Sequence, residues 1–142
     1  METEMTKFLL IVDYNGGAIE TPMTEWAPED VKAHMDYYDK LNADLRASGE
    51  LIGGEALTGP DLAKSVTSDG VSAPVITDGP FLESKELLAG FQVIDVESEE
   101  RAIEIAALVS QVPGPGGVPL QQPIGVRRVM QEADFQELNP LG

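Results

Sequence analysis

A chain of 142 residues with 42% hydrophobic side chains is long enough to bury one core and too apolar to belong with the disordered class. Its net charge of −16, from nine Lys and Arg against 25 Asp and Glu, repels phosphate backbones and argues against direct nucleic-acid binding. With no cysteine there is no disulfide framework, no thiol nucleophile and no thiolate metal site.

The acidic N-terminus METEMTK does not read as a secretory signal. No apolar run approaches the roughly 18 residues of a membrane span, so a cytoplasmic location is expected. Residues 1–6 are expected to fray, residues 7–130 to form one domain, and residues 131–142 to form an acidic tail. Within the domain, Lys7–Asp13 is apolar on both faces, as a central strand would be. Gly16, Gly17 and Pro22 then impose a loop. A helix is predicted from Pro28, whose fixed φ suits the first helical position, with Glu29 and Asp30 at the positive dipole end. Val31, Met35, Tyr38, Leu41 and Leu45 give it an apolar stripe, and Gly49 ends it. His34, the only histidine, falls on that stripe.

Glu50–Leu57 reads as a second strand, weakened at Gly53-Gly54 and therefore near an edge. Ala63–Ser68 and Val71–Thr77 follow as a hairpin with a tight turn at Asp69-Gly70, and Pro74 places it at the sheet edge. After a turn at Asp78-Gly79-Pro80-Phe81, Leu87–Val96 is a strongly apolar strand. Ser98 caps a second helix that buries Ala102, Ile105, Ala106, Val109 and Val112. The Pro- and Gly-rich run 113–117 stops it and reads as a flexible connection to a last strand, Ile124–Val129. In the tail, Phe135 and Leu138 can form a turn of helix against a neighbour.

Strand–helix–strand, an inserted hairpin, and strand–helix–strand make a ferredoxin-like α+β unit, an antiparallel sheet with both helices on one face. The first strand of each half belongs in the middle, and these are the two most apolar strands. Both carry apolar side chains toward both faces: Phe91 and Val93 one way, Ile94 and Val96 the other. The face without helices needs a cover, and a second copy packed sheet to sheet is the simplest one.

The apolar first strand, Gly53-Gly54-Glu55, Val75-Ile76-Thr77-Asp78-Gly79-Pro80-Phe81, Lys85-Glu86 and Gly90-Phe91 together resemble the YCII-related family, in its DGPF-motif branch, over Lys7–Val129. The resemblance implies a ferredoxin-like fold that dimerises through its sheets, as a dimeric α/β barrel. It also implies a His-Asp pair in a cleft between helix and sheet; one relative eliminates chloride from a chlorinated hydroquinone. Proteins of this branch are often encoded near, or fused to, extracytoplasmic-function sigma factors, which implies a regulatory alternative. His34 stands where the family's histidine belongs, but the aspartate's place after the second helix holds Val112-Pro113-Gly114. Gly125 and Arg128 also replace the acid and the proline common in the last strand of related sequences.

A catalytic role for His34 therefore needs another acid, and Glu55 and Asp78 are the candidates. Such a pair could abstract a proton from a small acidic substrate. The alternative is a hydrogen-bonded core histidine without chemistry. Asp78 can equally serve only its turn, with Phe81 as an anchor in a pocket or a ligand contact. Lys85 belongs to a solvated face or holds a carboxylate-bearing ligand. One histidine without cysteine leaves no metal site of usual composition, and no cofactor is expected. The partners expected are thus a second copy and a small molecule, with a basic protein, such as a sigma factor, as the alternative.

Overall fold

The computed structural model describes residues 4–13, 19, 21–78 and 88–138. The strands are β1 (Thr6–Asp13), β2 (Leu51–Ala56), β3 (Lys64–Thr67), β4 (Val75–Asp78), β5 (Leu88–Val96) and β6 (Ile124–Arg128). The helices are α1 (Pro28–Ala47), α2 (Glu99–Ser110) and α3 (Glu132–Leu138). The four-stranded sheet has the order β2-β5-β1-β6, every neighbour antiparallel, so β1 and β5 lie in the middle as their apolar sequences require. This is an α+β architecture with the strand order of a ferredoxin-like sheet. Thr6, expected to fray, pairs with Val96 and belongs to β1.

Local chemistry sets the helix ends. Pro28 opens α1, and Gly49, at φ +81°, closes it. There the Gly49 N–H donates to the Arg46 carbonyl at 3.0 Å and the Glu50 N–H to the Leu45 carbonyl at 2.9 Å, the paired bonds of a Schellman turn. Ser98 caps α2, its Oγ accepting from the Arg101 N–H at 3.1 Å. Arg101 then grips the half-buried Glu50 with two nitrogens, at 2.8 and 3.0 Å, which ties the start of α2 to the residue before β2. The guanidinium holds the Glu50 carboxyl below its usual range.

Alternation along the central strands sorts the two faces. Phe8 and Leu10 of β1 and Ile94 and Val96 of β5 are buried with Leu45 of α1 and Ala102, Ile105, Ala106 and Val109 of α2. Both of these helices therefore cover one face. Leu9, Ile11, Phe91 and Val93 point to the other and keep intermediate exposure.

Four expectations need correction. The β3–β4 hairpin is a separate two-stranded sheet, not an edge of the main one, and all its strand residues are exposed. Its connection runs from Ser68 to Pro74 instead of a tight turn, with the Asp69 carboxylate accepting from the N–H groups of Val71 (2.9 Å) and Ser72 (2.8 Å). Met35, placed on the α1 stripe, is 48% exposed because it sits about 100° round the helix from His34. The 113–117 run is a fixed turn: the Gly114 N–H donates to the Val118 carbonyl at 2.8 Å, and the Gly116 N–H to Asp30 of α1 at 3.2 Å.

The tail forms α3, anchored where Arg128 binds both carboxylate oxygens of Asp134 at 2.6 and 2.8 Å. That contact and the Gln131 N–H bring the Asp134 carboxyl down to about 2. Phe135 and Leu138 remain exposed. Among the described residues no helix is long and apolar enough to cross a membrane.

Candidate functional site

His34 is 7% exposed and lies between two aromatic rings, edge-on to Trp26 at 5.4 Å and to Tyr38 at 5.2 Å between centroids. Tyr38 follows one turn along α1, while Trp26 closes the segment just before the helix. The imidazole Nδ1 is 3.0 Å from the carbonyl oxygen of Pro113. A carbonyl can only accept, so Nδ1 carries the proton and the neutral ring has its lone pair on Nε2. Among the described residues nothing donates to Nε2.

The turn after α2 holds that carbonyl in place. Leu120 N–H donates to the Val112 carbonyl at 2.9 Å, Pro113 bridges to Pro119, and Asp30 reaches Gly116 from α1. Nearby, the Tyr37 hydroxyl donates to the Leu108 carbonyl at 2.6 Å, a second tie between the two helices. The position that the family resemblance reserves for an aspartate is thus filled by a backbone acceptor. It can fix the tautomer as a carboxylate would, but it brings no negative charge.

Electrostatics follow from this exchange. Burial pushes the His34 pKa below its ordinary 6.5, and the Pro113 hydrogen bond offsets this only in part. The ring is therefore neutral at pH 7. Because the folded state binds the proton less tightly than the unfolded chain, this group's contribution to stability is complete above pH 6.5 and lost as pH falls from 6.5 through the folded pKa. With one histidine in the chain, its Cε1 proton gives an unambiguous NMR signal. We expect it to titrate with a midpoint below 6.5, and His34→Gln to flatten the acid-side fall of the melting temperature relative to wild type. A midpoint above 6.5 would contradict the buried, carbonyl-bound ring.

The structure brings neither candidate carboxylate to His34. Asp78 ends β4 in the separate hairpin, where it is exposed and pairs with Lys64 at 2.6 Å. Glu55 sits opposite Phe91 in the β2–β5 register, which directs it to the face away from the helices. The expected His34–carboxylate pair is replaced by the Pro113 carbonyl. Phe81, Lys85 and the Gly79-Pro80-Phe81 part of the turn lie outside the described residues.

Three features escaped the sequence reading. One is the Pro113 carbonyl, for which a backbone atom leaves no residue signature. Another is Trp26, hidden in a loop. The third is Gln92, buried in the middle of β5, whose Nε2 donates to Asn42 Oδ1 at 2.7 Å while its Oε1 is buried without a partner among the described residues. Its even position in a strand with an apolar inner face was the available signal.

Among the described residues, two of the grooves lie away from His34. One of about 530 Å³ lies between the start of β1 and α3, bordered by Lys7, Asp95, Met130 and Glu132. The other, about 370 Å³, runs between α2 and β6 along Ile103, Ala107, Ile124 and Val126. Among the described residues no cluster of three or more His, Asp or Glu side chains could hold a metal ion. No curated protein matches the chain. The family model of the YCII-related domain matches residues 6–113, from β1 to the proline that orients His34, and the chain belongs to the YCII-related domain family.

Proposed function

We propose that this is a small-molecule-binding protein of the DGPF-motif branch in which His34 serves as a base toward a small acidic ligand. The observation that carries the reading is the Nδ1 contact with Pro113, because it commits the free lone pair to Nε2. The lowered pKa keeps that lone pair available at neutral pH. Trp26 and Tyr38 supply flat apolar surfaces beside it, and the Pro113 carbonyl stabilises the imidazolium formed when Nε2 takes a proton. Phe81 and Lys85 are the candidate further contacts.

A thermal-shift screen with phenols and small carboxylic acids tests this on wild type and His34→Gln. At least one compound should stabilise the wild type and lose that effect in the variant. Equal stabilisation of both proteins, or no compound that binds, defeats the reading.

We propose also that two copies pair through the helix-free sheet face. Supporting this, Leu9, Ile11, Phe91 and Val93 form a contiguous apolar centre there, with no helix of the core packed against it. Equilibrium sedimentation at micromolar concentration should give the mass of a dimer, and a monomer would defeat the pairing.

A further inference from the structure

The helix-free face carries a pattern that determines how two copies would meet, an inference that rests on the pairing just proposed. Strand register lays its side chains in rows running across the sheet. One row reads Glu55, Phe91, Ile11, Gly125, from the β2 edge to the β6 edge. The next reads Gly53, Val93, Leu9, Arg127. Beyond it, Asp95 on β5 faces Lys7 on β1. Each row thus has a charged side chain at one end and glycine at the other, or one charge of each sign.

A two-fold axis parallel to the strands keeps every row at its own height and exchanges left for right. Glu55 then lies over the glycine at position 125 of the second copy, and Arg127 over the glycine at position 53. Phe91 meets Ile11, Val93 meets Leu9, and Asp95 meets Lys7. Adjacent rows are about 7 Å apart along the strands, so the long Glu55 and Arg127 side chains can reach each other between copies. An axis running across the strands lays each strand on its own copy instead. That puts both Glu55 side chains along one edge and both Arg127 side chains along the other, so each edge gathers charge of one sign.

Gly53 supplies an independent observation. A Cβ built there meets nothing within 4 Å, and its φ is not in the left-handed region. Nothing among the described residues of the single chain therefore calls for glycine, although a glycine inside a strand costs about 0.5–1 kcal/mol relative to alanine. The Arg127 side chain of a second copy gives the missing side chain a reason.

We infer that the occupant of this face is a second copy related by a two-fold axis parallel to the strands, with Glu55 of each copy bound to Arg127 of the other. Charge complementarity across the edges and apolar complementarity in the middle both select this arrangement.

The absence of native cysteine allows a direct test with a short bis-maleimide cross-linker. The double variant Gly53→Cys/Arg127→Cys should cross-link between chains, while Arg127→Cys alone should not, since it lies a sheet width of about 14 Å from its symmetry mate. Separately, Glu55→Arg or Arg127→Glu should each weaken the dimer on the order of tenfold, and the two together should restore it. Cross-linking by Arg127→Cys alone would establish the crosswise axis and overturn this inference while leaving the dimer intact. A dimer with no cross-link in the double variant and no rescue by charge exchange also overturns it, whereas a monomeric wild type defeats both proposals.

Discussion

Replacing Gly54 by alanine should cost about 3 kcal/mol or more and release β2 from the sheet. The residue has φ +151°, a region open essentially to glycine alone, and forcing another residue there costs on the order of 1–3 kcal/mol. The added Cβ would also stand 2.5 Å from the Phe91 carbonyl oxygen and 2.9 Å from the Gln92 Cα. Both are backbone atoms of the central strand, so neither can turn aside as a side chain could. Urea unfolding followed by far-UV circular dichroism measures the loss, with Gly53→Ala as the control. The neighbouring glycine has open space within its own chain and an ordinary φ, so at concentrations low enough to keep the chains apart its replacement should be close to neutral in the same assay. Equal effects at the two positions would show that β2 does not approach β5 as described.

Leu10→Ala should destabilise the chain by about 2–5 kcal/mol, the usual range for emptying a fully buried leucine site. Leu10 is 0% exposed, pairs with Gln92 on one side and Val126 on the other, and belongs to the face that both α1 and α2 cover. For a domain at the low end of the usual stability range, about 5 kcal/mol, a loss at the upper end of the leucine-to-alanine range leaves much of the population unfolded at 37 °C. Denaturant unfolding would show a lower midpoint at every protein concentration. Leu9→Ala, one residue away on the open face, should behave differently. Its cost falls on the contact between copies, so the midpoint should drop mainly at concentrations where the wild type is paired. A loss under about 1 kcal/mol for Leu10→Ala would place the core elsewhere.

The two leucines also show how much of this fold was legible beforehand. Strand periodicity of two is a local rule, so the assignment of Ile94 and Val96 to one face and Phe91 and Val93 to the other needed no tertiary information. The ends of α1 were equally readable, because Pro28 and Gly49 act through their own backbone angles. The helical period placed His34 inward for the same reason. Where that rule was extended to Met35, it failed, since the edge of a helical stripe depends on what packs beside it. The hairpin failed in a similar way. Asp69-Gly70 does make a turn, but the Asp69 carboxylate builds a wider one by accepting from two successive N–H groups.

The candidate site divides along the same line. That a lone histidine lies on the inner side of a helix, and that the place for the family's aspartate holds Val112-Pro113-Gly114, could be read directly. Choosing Glu55 or Asp78 as the replacement partner could not succeed from residue types alone. Strand register turns Glu55 to the opposite face, and Asp78 is occupied by Lys64 on a separate sheet.

By itself, the sequence determined the elements, their order, the two central strands, the inward histidine and the apolar face left without helices. These follow from backbone preferences and periodicity, which act within a few residues. Only the tertiary structure decided what His34 touches, because its partner is a main-chain carbonyl 79 residues away, brought near by the turn after α2. Every residue offers the same carbonyl, so no side chain announces it, and only the path of the folded chain selects Pro113.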